Sequence, residues 1–116
     1  MSLIFGYQNR NLTKDIVVQN AAGATVEPGS SDVIRVVIGR EGQTPVLSIS
    51  SEANSANGSS FQKNTPSTGT NRLRITAADM QAIDPGVYSL LVDFKDAGDG
   101  NEWKNVSRQV FAVERT

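Results

Sequence analysis

The fold of this chain is decided by one stretch, Leu73-Arg-Ile-Thr-Ala-Ala-Asp-Met-Gln-Ala-Ile-Asp-Pro-Gly-Val-Tyr-Ser-Leu-Leu-Val-Asp-Phe94. It opens with an apolar and polar alternation around Leu73 and Ile75, which is typical of a half-buried strand. A longer alternation follows, with large apolar side chains at Tyr88, Leu90, Val92 and Phe94. Four such side chains on one face predict a strand that packs against a core.

The interval between these two strands has the pattern of a short helical turn over 76–83. Thr76 and Asp79 have the spacing of a capping box, in which the hydroxyl accepts from the Asp79 N–H and the carboxylate reaches back to the Thr76 N–H. Met80 and Ile83 then face one side. Asp84-Pro85-Gly86 ends the turn, because Pro fixes φ and Gly tolerates the positive φ that can follow.

Further strand patterns occupy the rest of the chain. Apolar and β-branched runs predict strands at 15–20, 32–38 and 46–50, and a closing strand at 102–113, with Trp103 capping one end of the core. Residues 48–71 are rich in Ser, Asn, Thr and Gly. They predict an edge hairpin around Asn57-Gly58 with 59–62 as the return strand, and the alternative is an exposed recognition loop.

Together these patterns predict an all-β chain of about seven strands with one short helical turn. Turn signals recur between the strands, and no helix longer than a turn is expected. The natural solution is an antiparallel β-sandwich of immunoglobulin-like type. We assign the sandwich domain to 15–116 and an N-terminal arm to 1–14, whose apolar residues either dock on the domain or join a partner.

Composition excludes several classes of function. The 116 residues carry a net charge of −1, with no basic run and no acidic tail, so nucleic acid is not an expected partner. The chain has no Cys and no His, which removes thiol nucleophiles, disulfides, the commonest metal ligands and the usual general base. We therefore expect no enzyme and no cofactor. The opening residues do not form a signal peptide, and no apolar run is long enough for a membrane helix.

Two weaker patterns point to ligands. Four carboxylates lie close together in sequence around Gly98 and Gly100: Asp93, Asp96, Asp99 and Glu102. This resembles a cation loop, but Gly98 occupies a ligand position of the EF-hand pattern, so a solvated turn is expected and no metal site is predicted. Trp103, Tyr7 and Tyr88 would stack on sugars if they were exposed and coplanar, although Tyr88 is expected to be buried.

Apolar residues outside the predicted core strands are candidates for contacts with other proteins. The arm supplies most of them, since exposed aromatic residues near a chain end need a surface to pack against. The second face of the 32–38 strand and the polar 48–71 segment supply the others. The candidate interface residues are Ile4, Phe5, Tyr7, Leu12, Val33, Val37 and Phe61.

Two parts of the sequence carry a family resemblance. One is Asp15-Ile-Val-Val-Gln-Asn-Ala-Ala-Gly23 with Asp32-Val-Ile-Arg-Val-Val-Ile-Gly-Arg40. The other is Leu73-Arg-Ile-Thr-Ala-Ala-Asp79 with Ile83-Asp-Pro-Gly-Val-Tyr88 and the closing strand to Val113. This order resembles the immunoglobulin-like domains of tailed-phage and prophage structural proteins, such as the N-terminal domain of baseplate upper proteins and related tail, neck or fibre modules. Ala22 replaces the usual acidic turn residue, and Ile83 replaces the usual Leu.

The resemblance implies a non-enzymatic virion component, assembled in the bacterial host cytoplasm. Its partners would be other virion proteins and further copies of itself, in a ring or a trimer, with no nucleic acid and no membrane. The alternative is a bacterial cell-surface or carbohydrate-binding β-sandwich module. The motifs are structural ones, so they transfer no catalytic residue to this chain.

Overall fold

The computed structural model describes residues 3–20, 22–96 and 102–115. This part of the chain forms eight strands and one short helix. In chain order they are β1 (Leu3–Tyr7), β2 (Leu12–Ile16), β3 (Val33–Gly39), β4 (Leu47–Ser50), β5 (Ser60–Gln62), β6 (Asn71–Ile75), α1 (Ala77–Gln81), β7 (Gly86–Lys95) and β8 (Trp103–Glu114).

The strands form two sheets packed face to face. One has five strands in the order β1-β8-β7-β3-β4, and the other has three in the order β2-β6-β5. All neighbouring pairs are antiparallel except β1 and β8, which are parallel. The predicted all-β sandwich of immunoglobulin-like type is confirmed, with eight strands rather than about seven, because the N-terminal residues supply one more.

The core lies between the sheets, where the alternating side chains of the strands meet. Ile34, Val36 and Ile38 of β3, Leu90 and Val92 of β7, and Phe111 of β8 have no exposed surface. Leu73 and Ile75 of β6 face them from the smaller sheet and are equally buried. Each such side chain contributes roughly 1.5–3 kcal/mol through burial, which makes this layer the main source of stability.

The turn before β7 is fixed by a tyrosine corner. The Tyr88 hydroxyl donates to the Asp84 carbonyl oxygen at 2.6 Å, and only 5% of the residue is exposed. Immunoglobulin sandwiches place a tyrosine here, two residues before a cysteine in antibody domains. In this chain Leu90 occupies the position of that cysteine and is fully buried. Apolar packing therefore takes the place of the disulfide.

The N-terminal segment is part of the sandwich rather than a separate arm, which corrects the predicted boundary between residues 14 and 15. Leu3 to Tyr7 pair with Val110 to Glu114 of β8. Ile4 is 2% exposed, because β1 turns alternate side chains into the core. The next strand also starts earlier than predicted: β2 begins at Leu12, and after it Val18 accepts a backbone hydrogen bond from Val26 at 2.8 Å.

The polar 48–71 segment crosses between the sheets, so the predicted hairpin around Asn57-Gly58 is wrong. β4 belongs to the larger sheet and β5 to the smaller one, and β5 pairs with β6 instead. The hairpin is therefore the one at 63–70. Lys63 anchors it by donating to the carbonyl oxygens of Gly29 at 2.8 Å and Asp32 at 2.6 Å.

Only one of the two hydrogen bonds of the predicted capping box forms. Thr76 accepts from the Asp79 N–H at 3.4 Å, and Met80 and Ile83 are buried as predicted. The Asp79 carboxylate does not return to the Thr76 N–H, which donates to the Ser59 hydroxyl at 2.9 Å. The carboxylate instead accepts from three side chains of the crossing segment: Ser55, Asn57 and Ser59. This long-range set of contacts was invisible to a local sequence pattern.

Candidate functional site

The most prominent surface feature is the side of the five-stranded sheet that faces away from the core. Because side chains alternate along each strand, the residues next to the core positions point outward together. We call the apolar members of this surface the outer face. They are Leu3, Phe5, Val37, Val87, Leu91, Val110 and Ala112.

Strand register brings these residues together from four parts of the chain. Phe5 pairs with Ala112, which pairs in turn with Val87. Leu3 lies opposite Val110, and Leu91 lies opposite Val37. Directly opposed side chains on one face contact one another, and diagonal neighbours lie within reach. Leu3, Phe5, Val110, Ala112 and Val87 therefore form one apolar group across β1, β8 and β7. Ser89, opposite Val110, and Arg108, opposite Leu91, lie between this group and the pair of Leu91 with Val37.

The end of the outer face near β1 is open to solvent. Val87 is 64% exposed, Leu3 58% and Phe5 40%, although all three are large apolar residues. Tyr7 is 43% exposed beside them, with its ring edge-on to Phe5 at a centroid distance of 5.3 Å. Single exposed apolar residues are ordinary, but a contiguous group of them is typical of a contact surface.

The predicted interface residues separate into three groups. Phe5, Tyr7 and Val37 lie on the outward side of the larger sheet and remain candidates. Leu12 is half-buried on β2 of the other sheet and packs against the core.

Ile4, Val33 and Phe61 are at most 4% exposed. The prediction that they contact other proteins is therefore wrong. Phe61 pairs with Leu73 inside the smaller sheet, because the segment around it crosses between layers. Val33 lies opposite Lys95 of β7, which in turn lies opposite Trp103 of β8.

A charged cluster occupies the far end of the same sheet surface. Arg35 pairs with Asp93 at 2.8 Å, and its guanidinium lies 4.1 Å from the centre of the Trp103 ring. Lys95 also lies over that ring, at 5.1 Å. Trp103 is 37% exposed and does not cap the core as predicted, because β8 carries it outward between two cations. This arrangement stabilises the ring by cation–π contact.

The sugar-stacking residues are not brought together. Tyr88 is buried as expected, and Trp103 is covered by Arg35 and Lys95. Tyr7 lies on β1, at the opposite end of the sheet from Trp103. The residues therefore do not form the coplanar exposed platform that glycan stacking requires.

The carboxylates of the β7–β8 region show no cation site within the part of the chain that the structure describes. Asp93 is engaged by Arg35, and the Asn105 amide donates to its other oxygen at 3.1 Å. Asp99, Gly98 and Gly100 of the cation-loop hypothesis lie outside the described residues. Among residues 3–20, 22–96 and 102–115, no three acidic residues are placed to share a metal ion.

No helix in these ranges is long and apolar enough to span a membrane.

Beside the outer face lies a depression of about 290 Å³, which the sequence did not indicate. Val37, Leu91 and Pro45 supply apolar lining. Arg40, Glu41 and Arg108 supply charge. Its residues come from β3, the β3–β4 loop, β7 and β8. The only sequence signal was the alternation that places Val37, Leu91 and Arg108 outward.

Comparison with known proteins does not identify a family for this chain. No protein-family model matches the chain, and no curated protein matches it. Among solved structures it is similar to the NK cell receptor Nkp44, described as a triggering partner in natural cytotoxicity, with a TM-score of 0.47 and 12% identity over 97% of both chains. A likeness this distant carries no inference about function. The immunoglobulin-like fold of the chain rests on its own strand order and tyrosine corner.

Proposed function

We propose that this chain is a non-enzymatic structural protein of a tailed-phage or prophage virion, acting in a tail, baseplate or neck. It works by burying the outer face against further copies of itself and other virion proteins. The observation that carries the assembly role is the apolar group at the β1 end of the outer face, where Val87, Leu3 and Phe5 are open to solvent. The virion setting comes from the sequence resemblance alone.

The physical argument is the cost of leaving such a surface in water. Burial of apolar area is favourable by roughly 25 cal/mol per Å². The outward apolar residues of β1, β8 and the start of β7 combine their area on one surface. Monomeric proteins rarely keep contiguous apolar patches of this kind without a contact to make. Assemblies of identical chains close into symmetric forms, which fits a ring or a trimer.

The test is the mass in solution by light scattering, measured over a range of concentrations. We expect a defined oligomer for the natural chain and at least tenfold weaker association for Val87→Asp, because the substitution buries an unpaired charge at the contact. Val17→Asp is the matched control. Val17 is 45% exposed just after β2, in the other layer.

Association that survives Val87→Asp, or that Val17→Asp weakens equally, would contradict the role of the outer face. The virion setting needs its own measurement, which is labelling of purified phage particles with antibodies against the chain. We expect label at the tail or neck, and unlabelled particles would remove that setting.

A further inference from the structure

We infer that β1 pairs with β1 of a second copy of this chain, antiparallel and about a two-fold axis at Phe5, so that two five-stranded sheets join edge to edge. The inference rests on the proposed assembly role, because it names a further copy of the chain as the partner. It goes beyond that role by assigning the contact to the backbone of one strand.

The first observation is the direction of the backbone groups of β1, which lies at the edge of the larger sheet. The Gln8 N–H donates to the Glu114 carbonyl oxygen at 2.9 Å, and the backbone groups of alternate residues point to the same side of a strand. Those of Leu3, Phe5 and Tyr7 therefore point away from β8. Among the described residues, no other strand pairs with β1 on that side. These N–H and C=O groups form an open row that a further strand can use.

The second observation is that β1 lacks the features that usually keep exposed strand edges apart. Native proteins blunt such edges with charge or Pro, or keep the strand very short. Of the other outer strands, β2 carries Lys14 and Asp15, and β5 has three residues. At the end of β4, the Ser50 N–H is already donated to the Ala53 carbonyl oxygen at 3.2 Å. β1 is a five-residue strand, Leu-Ile-Phe-Gly-Tyr, with none of these protections.

The third observation is that the strand complements itself. An antiparallel pair centred on Phe5 places Leu3 opposite Tyr7 of the second copy, so every residue of β1 has a partner. The residues whose backbone groups point outward then oppose one another as hydrogen-bonded pairs. The Tyr7 carbonyl oxygen also accepts from the Arg10 N–H at 3.3 Å, and a carbonyl oxygen can accept a second hydrogen bond. No like charges oppose one another, because β1 contains no charged residue.

The side chains favour a second copy over an unrelated strand. Leu3, Phe5 and Tyr7 are all exposed on the outward side of β1, at positions symmetric about Phe5. Two-fold pairing brings both sets side by side on one surface and makes the outer faces of the two copies continuous. A two-fold contact needs a surface that matches itself, and this strand provides one.

The test is disulfide trapping in the full chain, which has no cysteine of its own. Leu3→Cys and Tyr7→Cys chains, one of them carrying a size tag, are mixed, oxidised with copper phenanthroline and separated on a non-reducing gel. Opposed residues of a hydrogen-bonded antiparallel pair have Cα atoms about 5.5 Å apart, which suits a disulfide. We expect the mixed dimer to form at least fivefold faster than the dimer of either chain alone. Equal rates for the three dimers would overturn the inference.

A second comparison asks whether the backbone makes the contact. Phe5→Pro, placed in both cysteine chains, removes an N–H that β8 does not use, so this edge position tolerates it. Phe5→Val is the matched control, because it also removes the ring but keeps the N–H. We expect the proline variant to lower the rate of mixed-dimer formation at least fivefold relative to the valine variant. Equal rates in the two variants would mean that side chains alone make the contact, and the strand pairing would be wrong.

The trapping experiment and the mass measurement fail separately. Weaker association in Val87→Asp without a preferred mixed dimer would remove the β1 pairing and leave the contact through the outer face. A preferred mixed dimer, with association that Val87→Asp does not change, would keep the pairing and remove the contact through the outer face.

Discussion

Asp79 is the residue whose chemistry depends most on the folded state. It is 8% exposed, and its carboxylate accepts from Ser55, Ser59 and Asn57, the last at 3.0 Å. Burial by itself raises the pKa of Asp79, but the three hydrogen bonds together outweigh it, so the pKa lies below its ordinary value. The charged form is thus favoured by folding, and it ties the segment between the sheets to α1.

The sign of the pH dependence follows from this lowered pKa. Asp79 stabilises the fold above the pKa of the unfolded chain, about 4, and the contribution is lost as pH falls through the lower folded pKa. We expect Asp79→Asn to lower the free energy of unfolding by about 1–3 kcal/mol at pH 7 and by less below pH 4. Urea unfolding at several pH values measures it.

Asp15→Asn is the control for that series, because Asp15 pairs with Arg72 at 3.2 Å with a side chain 46% exposed. An exposed pair of this kind contributes about 0–1 kcal/mol. If Asp79→Asn is no more destabilising than Asp15→Asn at neutral pH, the network around Asp79 does not stabilise the fold.

A second prediction concerns the hydroxyl group of Tyr88. Tyr88→Phe removes the hydroxyl that donates to Asp84, while the buried ring stays. We expect a loss of about 0.5–1.5 kcal/mol in the free energy of unfolding, the usual value of such a hydrogen bond. Tyr7→Phe, at a residue 43% exposed, should change stability little. Equal effects in the two variants would contradict a structural role for the corner.

At the scale of elements, β1 contributes one side to the core and the other side to the outer face. Ile4 enters the core, whereas Leu3 and Phe5 face solvent on the outer face. We expect Ile4→Ala to cost about 2–5 kcal/mol in the free energy of unfolding, and Phe5→Ala to cost less than about 1 kcal/mol, because only the first leaves a cavity. Thermal or urea unfolding of the two variants measures the difference.

Removal of β1 affects folding as well as the outer face. A chain that starts at Lys14 lacks β1 and the first residues of β2, so it loses a core residue and uncovers the edge of β8. Such a chain would assemble less well both because its fold is less stable and because Leu3 and Phe5 are missing from the outer face. If Ile4→Ala proves as stable as the natural chain, β1 is not required by the fold.

At the scale of the whole molecule, the two sheets differ in what they offer a partner. The three-stranded sheet carries the exposed ion pair Arg72–Asp15 on its surface. The five-stranded sheet is widened by the parallel addition of β1 to β8, and this joins Leu3 and Phe5 to the apolar residues of β7 and β8. Assembly through the apolar outer face of the five-stranded sheet is the behaviour that we expect of the intact chain.

Local patterns in the sequence were enough to predict the fold class. The alternation at 73–76 and 87–94, the buried Met80 and Ile83, and the Pro-Gly turn are all found as expected, because they depend on neighbours along the chain. The sequence also pointed to Val37 as an outward residue, since strand alternation separates it from the core. Phe5 and Tyr7 were predicted as contact residues of an arm, together with Ile4, which the structure buries.

Tertiary structure alone decided the rest. The parallel pairing of β1 with β8, the pairing of Phe61 with Leu73, and the contacts of Asp79 with the crossing segment join residues that lie 12 to more than 100 positions apart. Register across strands assembled the outer face and the depression, and register is set by packing of the whole sandwich rather than by any one stretch. A local pattern predicts which side chains share a face, whereas only the folded chain determines which faces meet.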